Sequence, residues 1–127
     1  MIKIFTILLI VFAGFNALFA QSPAVNGEMK TYYLVFLKKG PNRTQDSLTA
    51  AKIQEGHMAH LIKMGNEGKI CMAGPFSDDG DIRGICVYNV DSEAEARQLA
   101  GDDPAVKSGR LILEIHPWYA MKGSSLK

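Results

Sequence analysis

The apolar positions fall into short extended stretches separated by two helical ones. Residues 31–37 are aromatic and β-branched (Tyr32, Tyr33, Val35, Phe36), with apolar side chains on both faces, the composition of a strand buried inside a sheet. A loop containing Gly40-Pro41-Asn42 follows, and from Asp46 or Ser47 to Gly65 or Gly68 the period becomes helical. At about 100° per residue, Ile53, His57, Leu61 and Met64 fall on one side, and Met58 and Ile62 widen the arc. Residues 70–73 and 84–90 are short strands flanking an acidic turn, Asp78-Asp79-Gly80-Asp81, and predict a hairpin. Ser92 with Glu95 has capping-box spacing and opens a second helix that ends near Gly101. Asp103-Pro104 starts a short extra turn closed by Gly109, and residues 111–115 alternate as a last strand. The order β-α-β-β-α-β predicts an α+β, ferredoxin-like antiparallel sheet with two helices on one face. The other face also needs cover, and a second copy of the chain is the economical one, so a homodimer is expected.

The first twenty residues do not belong to that pattern. Lys3 precedes an apolar run over residues 4–13, and Ala17-Leu18-Phe19-Ala20 leads into Gln21-Ser22-Pro23. This is the layout of a secretory signal peptide cut after Ala20. Its apolar core of about ten residues falls short of the ~20 that span a bilayer. No cysteine stands at the cut to carry a lipid. The chain therefore divides into a signal peptide (1–20), a flexible lead-in (21–29), a domain (30–122) and a small polar tail (123–127). The mature protein is expected in the periplasm or outside the cell, with no membrane partner after cleavage. Without Lys3 the 14 basic residues become 13, equal to the 13 acidic ones. A neutral chain with no basic cluster argues against a nucleic-acid partner.

Cys71 and Cys86 lie on the two hairpin strands, and an exported protein meets oxidising conditions. A cross-strand disulfide needs a particular register, and a small shift separates the sulfurs, so two separate thiols are the favoured reading.

Candidate chemistry centres on the first helix. His57 points toward the core, whereas His60 sits at the rim of the apolar arc, where a ligand could reach it. Spacing of three residues can also serve a metal, but no His-Glu-x-x-His is present and further ligands would have to come from afar, so no metal and no cofactor are expected. Asp103 reads as a cap for the turn at Pro104, with a second oxygen to spare. Phe76 and Trp118 read first as packing residues, with a place in a pocket wall as the alternative. Arg110 reads as a solvated loop residue, with a cation near the pocket as its alternative.

Ala59-His60-Leu61, Ala73-Gly74-Pro75, Asp103-Pro104 and Pro117-Trp118 occur in the order and spacing of the YCII-related domain family, which the chain resembles from about Lys30 to Lys122. The resemblance implies a ferredoxin-like dimer of the dimeric α/β-barrel type, with a His–Asp pair in a pocket between helices and sheet. It makes His60 the acid–base group and Asp103 its partner; His57, Phe76 and Trp118 are the candidate substrate contacts among the residues around them. Family members often carry an arginine one turn before the histidine, where this chain has His57. A dehydrochlorinase-type activity is associated with the wider family. The resemblance thus implies a small enzyme of isomerase or lyase type acting on a small organic molecule; a dimer that only binds a small ligand is the alternative.

Overall fold

A computed structural model describes residues 27–127. The expected signal peptide and most of the lead-in lie outside them. The elements are β1 (Met29–Lys39), α1 (Ser47–Asn66), β2 (Ile70–Pro75), β3 (Ile82–Tyr88), α2 (Glu93–Gly101), α3 (Pro104–Lys107) and β4 (Leu111–Met121). The four strands form one antiparallel sheet in the order β2-β3-β1-β4, the ferredoxin-like arrangement.

Each helix begins where its cap stands. Asp46 accepts the Thr49 amide at the start of α1, and Ser92 accepts the Glu95 amide at the start of α2. Gly68, at φ 69, turns the chain from α1 into β2. The last strand is longer than the alternation at 111–115 predicts, running on through Pro117 to Met121. β4 is an edge strand, so the missing amide of Pro117 can point away from the sheet and cost no ladder bond.

Register assigns the faces. Tyr33, Val35 and Leu37 stand beside Tyr88, Cys86 and Gly84 on one side and Pro117, Ile115 and Leu113 on the other. Most of these side chains point toward the helices, where Val35, Leu37, Cys86 and Tyr88 join Met64, Ile70, Val90, Ala96 and Ala100 in the core. The opposite face carries Leu34, Phe36, Ile85 and Val87, with Ile112 and Trp118 exposed on β4. No helix among the described residues lies over it.

Both cysteines are free thiols. Cys86 is paired across the hairpin with Ala73, while Cys71 lies at the irregularity between Ile70 and Met72. The register thus offsets the two residues. Burial, helped by the charge of Asp103, pushes the Cys86 thiol up to about 12, so it is a neutral packing group at physiological pH.

Candidate active site

The site begins with a glycine. A Cβ on Gly56, in the middle of α1, would stand 3.0 Å from Cγ of Pro104, so the missing side chain lets α1 and α3 approach closely. That approach sets the next residue, His57, against Asp103. His57 Nδ1 and Asp103 Oδ2 are 2.6 Å apart, and both side chains are buried. The other carboxylate oxygen, Oδ1, accepts the Ala105 amide at 2.8 Å and caps α3. Asp103 therefore does two jobs, one per oxygen.

An ionised carboxylate only accepts hydrogen bonds, so Nδ1 of His57 must be the donor. In the neutral ring this places the lone pair on Nε2. No protein group among the described residues hydrogen-bonds that nitrogen. His57 itself lines a cavity of about 480 Å³, within the roughly 300–1,000 Å³ typical of small-molecule sites. Ile53, Met58 and Leu61 of α1 form one wall, and Leu37, Ala73, Pro75, Gly84 and Cys86 of the sheet another. The sheet side is low here because Ala73, Gly74, Pro75 and Gly84 offer little side chain. Gly84 is required for strand packing as well, since a Cβ there would lie 2.8 Å from the Gly74 carbonyl oxygen.

Arg43, Arg83 and Arg110 also line the cavity, and no aspartate or glutamate does. Arg43 donates to the Arg110 carbonyl at 2.7 Å and Arg110 donates to Gln45 Oε1 at 2.7 Å. Arg83 donates to the carbonyls of Asp78 and Gly80.

The structure redistributes the expected site residues. Asp103 is hydrogen-bonded to His57 and not to His60, the partner the resemblance implies. His60 lies one turn on, and its buried Nε2 has no hydrogen-bond partner among the described residues. The open space lies beneath α1, on the side where the apolar arc and His57 point. Phe76 borders a separate shallow depression with Asp78, Gly80, Asp81 and Ile82. Trp118 stands beside Tyr32 on the helix-free face of the sheet, away from the His57 cavity. His116, on that same face, pairs with Glu114 and meets the edge of Phe36. Among the described residues no cluster of three His, Cys, Asp or Glu side chains is placed to hold a metal ion.

Residues 31–119 match the model of the YCII-related domain. An uncharacterized protein of Bacillus subtilis (strain 168), YjpA, is 37% identical over 67 residues, which are 53% of this chain and 76% of that protein. Among solved structures, the 5-chloro-2-hydroxyhydroquinone dehydrochlorinase TftG of Burkholderia phenoliruptrix AC1100, in complex with 2,5-dihydroxybenzoquinone, superposes with a TM-score of 0.51 at 24% identity. The superposition covers 68% of this chain and 92% of that one, and it is a likeness of fold.

Proposed function

The chain belongs to the YCII-related domain family, and from that premise we propose that it is a small enzyme in which His57, oriented by Asp103, moves a proton on a small organic substrate. The observation that carries the proposal is the 2.6 Å bond between buried His57 and Asp103 beside a ligand-sized cavity. Asp103 holds Nδ1 as a donor, so Nε2 is the base. Once protonated, the ring returns the proton to another atom of the substrate or to a leaving group. That is the step of an isomerase or a lyase. The fold neighbour's name describes removal of hydrogen chloride from a hydroxylated ring, a reaction that also needs a proton moved, and it supports this reaction class.

The same proposal makes the protein a homodimer. The helix-free face presents Leu34, Phe36, Ile85, Ile112 and Trp118 in one sheet, and a second copy would bury them. Export is part of the proposal too, and its support is the apolar run and small-residue cut before Gln21.

The test is solvent-deuterium incorporation, with chloride release for halogenated compounds, over hydroxylated quinols, their chlorinated forms and small enolisable acids. The protein should label or eliminate at least one of them. His57→Asn should lower that rate by about 10²–10⁴-fold, the usual contribution of a general acid–base group, while His60→Asn leaves it nearly unchanged. A rate that survives His57→Asn, or no exchange with any compound, would contradict the reading and leave a ligand-binding dimer as the better account.

A further inference from the structure

The sequence contains four arginines, and three of them, Arg43, Arg83 and Arg110, line the His57 cavity. The fourth, Arg97, forms an ordinary surface pair with Glu93. None of the cavity arginines forms an ion pair with a carboxylate among the described residues. A guanidinium has five N–H donors, and the bonds made by these three go to neutral oxygens, so donors and charge remain unspent.

Arg43 and Arg110 are held together by backbone as well. Gly40 donates to the Arg110 carbonyl at 2.8 Å and Asn42 to the Gly109 carbonyl at 3.0 Å, which staples the loop after β1 to the start of β4. A Cβ on Gly40 would stand 2.1 Å from the Gly109 carbonyl oxygen, so this contact demands a glycine. Arg83 differs, because its guanidinium is tied to the hairpin tip through the Asp78 and Gly80 carbonyls and not to the staple between Gly40 and Arg110. Two positioned cations and no lining carboxylate make the cavity electropositive, and the base that shares it has to stay free for the reacting atom.

We propose that Arg43 and Arg110 bind a planar oxyanion of the substrate, a carboxylate or an equally acidic enolate, and so select anionic over neutral molecules. The proposal rests on the proton-transfer reading for the word substrate, but the anion site itself does not need it. A fork of N–H donors matches two oxygens in one plane, and a bond to a charged group is stronger than one to a neutral amide.

The experiment is a binding titration of the domain, followed by backbone amide shifts, with benzoate against benzamide and salicylate against salicylamide. In each pair the acid should bind more tightly, with the preference shrinking as salt is added. Arg43→Gln and Arg110→Gln should each weaken the acids about ten-fold and leave the amides alone, Arg110→Lys should retain part of the preference, and Arg97→Gln should change nothing. Acids that bind no better than their amides, binding by neither, or a preference that survives both glutamine substitutions would overturn the site. His57→Asn separates the two readings. If it keeps the acid preference while no compound exchanges deuterium, the anion site stands and the proton-transfer proposal falls. Exchange without an acid preference would mean the reverse.

Discussion

The two ends of the sheet beneath α1 are built differently. At one end, Met64 of α1 packs with Tyr88 and Val90 and with Ala96 and Ala100 of α2, all of them nearly sealed from solvent. At the other, Ile53 and His57 of the same helix stand over Leu37, Ala73, Pro75 and Gly84, and a cavity remains between them. β1 pairs along its length with β4, and the pairings of β3 are interrupted once at each end, at Leu37/Lys38 and at Ile70/Met72. The difference is side-chain volume. A large residue such as Tyr88 leaves no room, whereas glycine, alanine and proline leave a space that the buried histidine can face. The polar pair belongs at the hollow end, because there one nitrogen of the ring can be satisfied by Asp103 and the other left for a ligand.

Substitutions at each end sharpen the contrast. Met64→Ala, at the packed end, removes a buried side chain with nothing to replace it, and should cost about 2–5 kcal/mol in chemical denaturation. A cost below about 1 kcal/mol would mean that this end is as loosely filled as the other. Ala73→Leu, at the hollow end, should behave in the opposite way. Ala73 is exposed at the cavity wall, so stability should stay within about 0.5 kcal/mol of wild type, while binding of benzoate is lost as the new side chain occupies the space. Binding that persists would place the ligand elsewhere.

The smallest effect belongs to the surface of the packed end. The Lys69 ammonium, and after it the Asp91 amide, holds the half-buried Glu95 carboxyl below the usual carboxylate range. A carboxyl whose pKa is lower in the folded state stabilises the fold above its unfolded pKa, and loses that contribution as pH falls through the folded value. Glu95→Gln should therefore lower the melting temperature slightly at pH 7, with the gap to wild type closing below the carboxylate range. A gap independent of pH would point to lost packing.

Most of the fold is legible in the sequence, because the helix caps at Asp46 and Ser92, the acidic hairpin tip and the alternating strands each act locally. The full extent of β4 is not, since the effect of Pro117 depends on whether its strand lies at an edge, which only the assembled sheet decides. The site is half legible. Asp103 is marked by its cap position ahead of Pro104, but the choice between His57 and His60 depends on what lies beneath α1. One signal for His57 was present: Gly56, a glycine inside a helix, usually has a packing reason, and here the reason is Pro104. Of the cavity arginines only Arg110, beside Gly109, is singled out in the sequence, and there a cation near the pocket is the alternative to a solvated loop residue. The three come from separate loops or strand ends, and only the staple between Gly40 and Arg110 brings two of them together.

The most direct test of the account is the tautomer of His57, measured from long-range couplings between ring protons and ring nitrogens in labelled protein at neutral pH. With Asp103 accepting from Nδ1, His57 should carry its proton on Nδ1 and show Nε2 as an unprotonated nitrogen. Asp103→Asn, which can place an amide donor against the same atom, should move the proton to Nε2 and leave His60 unchanged. A His57 protonated on Nε2 in the wild-type protein, or one indifferent to Asp103→Asn, would contradict the assignment of His57 and Asp103 as the acid–base pair.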